Sequence, residues 1–275
     1  MNTAIQLGPL LLPFTLLLAF ACMAVTLFVG KRLGRAAGVD VENVLWQTLL
    51  VGVVVARLAF VYEFRRAYLA SPLDILDIRD GGWNITAGFI GAWLFALSRL
   101  QRKPALGRPL RWSLMTGTVL FVAGSVALSL RPGSQPLPAL SFSSLEGRTV
   151  QLNEFAGKPT VINLWATWCP PCAREMPVLR DAQVARRDVN FVFLNQGESA
   201  ERVRTWLAGR GLALSHVLID GKGQASAAFN QKGYPTTLFF DAKGQLASIR
   251  IGELSSATLQ QKLEQIAPAA GSNPH

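Results

Sequence analysis

The chain has 275 residues, of which 50% are hydrophobic and only 16% charged, with a mean hydropathy of +0.29. That is well short of the roughly one quarter of charged residues usual in a soluble domain, and with three cysteines the composition excludes a disordered, collagen-like or disulfide-scaffold protein. The net charge of +10 is uneven: residues 1–139 carry 13 Lys and Arg against 6 Asp and Glu. The basic residues flank long apolar runs, as in a membrane protein, so no nucleic-acid partner is expected. The length suggests two domains.

Residues 1–130 read as a membrane domain of about four transmembrane helices, at 7–30, 43–62, 82–98 and 112–130, the third short and rich in Gly. The first run has no Lys or Arg before it and exceeds a signal-peptide core, so it is expected to stay as a span. Its Cys22 is expected to pack as a small hydrophobe. Lys31, Arg32 and Arg35 follow the first span, and Arg99, Arg102, Lys103, Arg108 and Arg111 follow the third. Between the second and third, Arg65, Arg66 and Arg79 are offset by Glu63, Asp74, Asp77 and Asp80. This asymmetry predicts both termini outside the cytoplasm, with everything after residue 131 on the far face. Arg57 lies inside the second span, where a charge is costly; it is either functional or a structural Arg that snorkels or pairs with a carboxylate.

Ala56-Arg57-Leu58, the segment Ser71-Pro72-Leu73-Asp74-Ile75-Leu76-Asp77-Ile78 and the stretch Gly81–Gly91 (GGWNITAGFIG) resemble the amino-terminal part of prolipoprotein diacylglyceryl transferases, over about residues 5–100. That family carries a His where this chain has Thr86, and its later spans with further essential Arg residues have no counterpart here. The resemblance therefore implies a degenerate or repurposed membrane anchor.

Residues 131–138, with three prolines, read as an extended spacer, followed by an α/β domain at 139–268 and a flexible tail at 269–275. Strands are predicted at Thr160–Ala166, Val189–Leu194, Thr236–Asp241 and Gln245–Ile251, the last two as a hairpin. Helices are predicted at Cys172–Arg187, Glu198–Ala208 and Ser255–Ile266, the last capped by Ser255 or Ser256. The strand–Cys-x-x-Cys–helix junction carries the chemistry. Cys169 falls at a strand tip and a helix amino terminus, where partial positive charge favours a thiolate, and Cys172 is within disulfide reach. Zinc binding would need further ligands, and the only other non-terminal His is His216; an inert structural disulfide is the remaining alternative. Tyr234–Pro235 precedes a strand, and a cis bond there would present the Tyr234 backbone to the cysteine pair.

With Trp168-Cys169-Pro170-Pro171-Cys172 and Gly233-Tyr234-Pro235-Thr236-Thr237 together, residues 137–268 resemble the TlpA/ResA-type membrane-tethered thiol–disulfide oxidoreductases of the thioredoxin fold. The resemblance implies a bacterial-type inner-membrane protein with a periplasmic thiol–disulfide oxidoreductase domain that needs no dissociable cofactor or metal; because Pro170 and Pro171 offer Cys169 no N–H, the pair is expected to reduce protein disulfides. It implies Cys169 as nucleophile, Cys172 as resolving thiol and Glu175 as acid/base, with Trp168, Tyr234 and Pro235 as the substrate-binding surface. The buried Asp of soluble thioredoxins is Asn163 here, which makes Glu175 the better proton carrier; the alternative is a first-turn residue serving the helix dipole. A membrane thiol donor would have to recharge the pair. Open alternatives are a net oxidant or isomerase, a lipid-handling protein with an accessory redox domain, and a non-catalytic thiol chaperone or metal carrier.

Overall fold

The computed structural model describes residues 4–7, 10–70, 72–77, 80–129, 135–231 and 233–267. They fall into two compact units, the first within residues 4–132 and the second built mainly from residues 133–275. The tail at 269–275, Arg131–Ser134 of the spacer, and Ser71, Ile78 and Arg79 lie outside the described residues.

In the first unit, strands β1 (Ala4–Leu7) and β2 (Leu10–Pro13) form an antiparallel ribbon, followed by helices α1 (Phe14–Ala36), α2 (Glu42–Glu63) and α3 (Arg65–Ala70). A 3-10 turn at Pro72–Leu76 leads to α4 (Ile85–Arg102) and α5 (Gly107–Ser129). The first span starts at Phe14 rather than at residue 7, because Leu10–Pro13 is used by the ribbon and Pro13 has no N–H to continue it. Among the described residues, three segments, Phe14–Ala36, Glu42–Glu63 and Pro104–Leu128, are long and apolar enough to cross a membrane; α4, with 18 residues, is not among them. The basic residues expected in loops are mostly helical: Lys31, Arg32 and Arg35 lie on α1, Arg99 and Arg102 on α4, and Arg108 and Arg111 on α5. Backbone hydrogen bonds are satisfied within a helix, so the helices run on through the polar ends of the apolar stretches.

Small residues set the helix contacts. A Cβ on Gly88 of α4 would sit 2.9 Å from both the Ala56 Cβ and the Gly52 carbonyl oxygen of α2, and one on Gly91 would sit 2.8 Å from Val55. Close backbone approach of this kind is how helices associate where water supplies no driving force. Outward faces carry Phe20, Phe28, Leu50, Leu58, Leu94 and Val119, all exposed, while Cys22 is buried as expected.

The second unit is a seven-stranded sheet flanked by helices. Its strands are β3 (Ser141–Ser144), β4 (Thr149–Gln151), β5 (Thr160–Trp165), β6 (Asn190–Gln196), β7 (Val217–Asp220), β8 (Thr236–Phe240) and β9 (Leu246–Ile251). Their spatial order is β4-β3-β7-β6-β5-β8-β9, with β5–β6 and β6–β7 parallel and the rest antiparallel. The helices are α6 (Pro170–Ala185), α7 (Ala200–Gly209), α8 (Gln224–Ala228) and α9 (Ser256–Ile266). This is the thioredoxin-like α/β fold. The predicted hairpin is present, and Ser255 is the α9 cap. The three short strands β3, β4 and β7 and the helix α8 had no sequence-level signal of their own; their few residues lack a sustained apolar period. Part of the predicted spacer is sheet edge: Leu137 N–H donates to the Gly244 carbonyl at 2.9 Å, and the Leu137 side chain is buried.

The side-chain period of two along β5 divides the core. Val161 and Trp165 join Met176, Leu179, Phe193 and Phe239 in one cluster, whereas Ile162 and Leu164 join Phe142, Leu194 and Phe240 in the other. Asn163 shares the face of Val161 and Trp165, and so points a polar group into the layer that packs under α6.

Candidate active site

Cys169 is the N-cap of α6, and Pro170 and Pro171 occupy its first two positions. The helix therefore begins two residues before the predicted Cys172, since proline lacks only an N–H that the first turn leaves unpaired and its φ already suits a helix. The Cys172 N–H donates to the Cys169 sulfur at 3.3 Å. The two cysteines form a disulfide with their Cα atoms 5.3 Å apart; Cys172 is fully buried and Cys169 is 3% exposed.

One turn inside the helix, Glu175 is fully buried. Its Oε1 accepts from Asn163 Nδ2 at 2.8 Å and its Oε2 from the Leu254 N–H at 3.0 Å. Strand register explains the first bond: Asn163 pairs directly with Thr237 across β5 and β8, and Asn163 Nδ2 also donates to Thr237 Oγ1 at 3.0 Å. Burial pushes the Glu175 pKa up to about 8, outweighing the two hydrogen bonds that favour the carboxylate. Arg174, exposed on the outer surface of the helix, is bound to Glu253 through contacts of 2.6–3.1 Å. Adjacent residues of α6 thus hold adjacent residues of the β9–α9 loop.

Trp168 is 61% exposed and meets Tyr234 edge to face, with ring centroids 5.9 Å apart. The Tyr234–Pro235 bond is cis, as predicted. Ser226 Oγ donates to Gln196 Oε1 at 2.8 Å, which leaves the Tyr234 hydroxyl to donate to Ser226 Oγ across 3.1 Å. Five of the predicted site residues (Trp168, Cys169, Cys172, Tyr234 and Pro235) are thus gathered around one end of α6, with Glu175 beneath them.

The second half of the chain matches the Redoxin family model over residues 132–264, and a prolipoprotein diacylglyceryl transferase model matches residues 2–127. Thioredoxin-like protein YneN of Bacillus subtilis is 34% identical over 47% of this chain and 78% of its own length. Thiol-disulfide oxidoreductase ResA of Geobacillus thermodenitrificans is 30% identical over 60% of this chain and 89% of its own. The chain belongs to the thioredoxin-like thiol–disulfide oxidoreductases. Among solved structures, StoA from Bacillus subtilis superposes with a TM-score of 0.41 at 23% identity, covering 46% of this chain and 100% of that one. As a protein-disulfide oxidoreductase, the enzyme acts on protein thiols and disulfides. Its transferase-like resemblance reaches residue 127, further than the motifs over residues 5–100 indicated.

A second buried carboxylate in the oxidoreductase escaped the sequence reading, which placed Glu198 at the start of a helix. The helix begins at Ala200 under a Ser199 cap, and Glu198 turns inward. It accepts from the Thr167 N–H at 2.7 Å, the Thr167 hydroxyl at 2.5 Å and Asn195 Nδ2 at 2.8 Å, and pairs with Arg202 at 3.0 Å. Burial acts to raise its pKa, but these bonds outweigh it and the net shift is downward. Glu198 thereby ties down the residue two before Cys169. The only available signal was a carboxylate between the end of a strand and a Ser N-cap, a common surface pattern.

Arg57 lies in the first unit and is buried. Its Nε and Nη2 donate to the Ile75 carbonyl at 3.2 and 3.0 Å, and its Nη1 to the Gly82 carbonyl at 2.9 Å. The guanidinium also lies over the rings of Tyr68 and Trp83, 5.4 and 5.9 Å from their centroids. These bonds pin the segment after α3 to α2. His216 has a φ of 54° and packs edge to face on Phe155. Among the described residues, no three His, Cys, Asp or Glu gather as metal ligands.

Proposed function

We propose that Cys169 and Cys172 are the redox-active pair and that the enzyme works as a reductase of protein disulfides. The Cys169 thiolate attacks one sulfur of a substrate disulfide, forming a mixed disulfide and releasing the other sulfur as a thiolate that takes up a proton. Cys172 then gives up its proton, attacks the Cys169 sulfur and frees the second substrate thiol, leaving the pair oxidised; two electrons and two protons pass to the substrate. Glu175, one turn beyond Cys172 on the same helix, is mostly a neutral acid near pH 7; its carboxylate form, which grows as pH rises toward about 8, accepts the Cys172 proton, and that proton passes on to the departing substrate thiolate. Trp168, Tyr234 and Pro235 form the surface on which the substrate chain lies. A membrane dithiol donor returns the electrons, because the first unit contains one cysteine, Cys22.

The observation that carries this reading is the disulfide at the α6 amino terminus beside the exposed Trp168–Tyr234 surface. Direction follows from the donors around the sulfur. A pair becomes oxidising when its thiolate is strongly stabilised, and Pro170 and Pro171 supply no N–H to Cys169. We expect a potential near the thioredoxin value of about −270 mV rather than the strong-oxidant value of about −120 mV. Equilibrating the full chain in detergent with dithiothreitol or glutathione, read by alkylation, tests this; a value above about −180 mV reverses the direction. Cys172→Ser should accumulate mixed disulfides in cells and Cys169→Ser should not, and equal trapping contradicts the assigned roles.

For the membrane half, the reading is four crossings, with α4 as the third; its outward Ile90, Leu94 and Leu97 support this despite its length. The Lys and Arg at the ends of α1 and α4 and the start of α5 favour a cytoplasmic location for that end, with the redox domain in the periplasm. A periplasm-dependent reporter should be active when fused after Pro138 and silent at Arg108, and the reverse pattern sinks the orientation.

A further inference from the structure

The basic end of the first unit holds two clefts of contrasting chemistry. The larger, about 360 Å³, is lined by Lys31 and Arg35 but also by Asp40 and Glu42, and Lys31 is already paired with Glu42 at 3.2 Å. The second, about 200 Å³, lies between the start of α2 and the end of α4 and is lined by Asn43, Gln47, Arg99, Arg102 and Lys103, with Leu106 at its buried floor. Three cations and two amides face this cleft, and no carboxylate does.

Arg99 is fixed in place there. Its Nη2 donates to Gln47 Oε1 at 2.6 Å and its guanidinium lies over Phe95, 4.9 Å from the ring centroid. Gln47 in turn donates to Asn43 Oδ1 at 3.3 Å. The Arg99 Nε–H is buried and has no hydrogen-bond partner, an arrangement that costs free energy unless an acceptor arrives. Arg102 and Lys103 are exposed at the rim. The carboxyl end of α4 contributes about half a negative charge, far less than the three positive ones.

We propose that this cleft binds the phosphate of an anionic lipid headgroup, with Arg99 as the preset donor and Arg102 and Lys103 as the mobile clamp. The inference rests on the reading that these helices span a bilayer, since only then does the end of α4 lie at the depth of lipid phosphates. Basic pockets between helix ends take such headgroups, and the neutralised neighbouring cleft does not compete.

The test uses the full chain in phosphatidylcholine nanodiscs spiked with phosphatidic acid, with bound lipid counted by native mass spectrometry. Phosphatidic acid should be retained over phosphatidylcholine, and R102Q/K103Q should weaken its binding about tenfold or more. R99Q should do the same, and the rim double variant, whose side chains are exposed, keeps the test valid if R99Q misfolds. K31Q/R35Q removes the same charge from the other cleft and should leave binding within about twofold of the parent. Equal losses in both double variants would reduce the effect to surface charge and overturn the site. Displacement of the lipid by inorganic phosphate alone would assign the cleft to free phosphate and overturn the lipid. Protein that enters the nanodisc but holds both lipids alike overturns this inference alone; protein that fails to enter overturns the spanning reading as well.

Discussion

Glu175 and Glu198 are two buried carboxylates flanking the same cysteine pair, and they are driven in opposite directions. Each receives an Asn Nδ2 at 2.8 Å, and in each case that Asn is left with a buried, unpartnered Oδ1. Glu175 has one further neutral donor, the Leu254 N–H, and its pKa rises to about 8. Glu198 has a backbone N–H, a hydroxyl and the Arg202 cation, and its pKa falls. Two neutral donors do not repay the desolvation of the fully buried Glu175, whereas three with a cation outweigh the lesser desolvation of Glu198. The first site therefore holds an exchangeable proton, and the second holds a permanent anion that anchors a loop.

The largest expected effect tests that contrast directly. In the unfolded chain Glu175 titrates near 4.5, so a folded value of about 8 means that the native state keeps a proton the unfolded state has lost. Its contribution to stability is full below about pH 4.5 and falls as pH rises through about 8, at up to about 1.4 kcal/mol per pH unit. Thermal unfolding of the oxidised full chain from pH 5 to 9 should show this slope, and Glu175→Gln should abolish it. An unchanged slope in the variant would place the titration elsewhere. The same variant should flatten the pH profile of insulin reduction near pH 8, because the Cys172 proton then has no acceptor.

Next in size is Glu198→Ala, which strands the Thr167 N–H and hydroxyl and the Asn195 amide in the interior. A loss of about 3 kcal/mol is expected in denaturant unfolding, with the opposite pH sign from Glu175: the parent's Glu198 contribution is present above about pH 4.5 and is lost on acidification through the lowered folded value. Asn163→Ala removes one of the two Glu175 donors; it should cost about 1 kcal/mol and move the pH midpoint of the Glu175 slope upward. A downward move would show that Asn163 stabilises the neutral acid instead. Smallest is Arg202→Gln. Arg202 is 65% exposed, so the screened pair should be worth less than about 1 kcal/mol, measured against Glu198→Ala in a double-mutant cycle.

Much of the molecule was legible from local chemistry. The Cys-x-x-Cys after a β-rich run, the Tyr-Pro before Thr236 and the apolar runs each depend on neighbours within a few residues, so their elements could be read in order; the cis bond was expected only from the Tyr-Pro together with the distant cysteine pair. Helix ends were less so: the α6 start moved to Pro170 because a proline tolerated in a first turn is otherwise a helix breaker. The pairing of Arg174 with Glu253 spans distant segments and left no trace in either.

The sequence by itself determined the fold class, the cysteine pair and the apolar anchor, because strand period, helix capping and hydropathy are properties of contiguous residues. Only the tertiary structure decided which carboxylates were buried and how many donors met each one. Glu175 and Glu198 are the same residue in unremarkable local settings. Burial wins at Glu175, where Asn163 and Leu254 only partly offset it, whereas the Thr167 donors, Asn195 and Arg202 outweigh it at Glu198; strand register and loop packing bring Asn163, Leu254 and Thr167 to these carboxylates from distant parts of the chain.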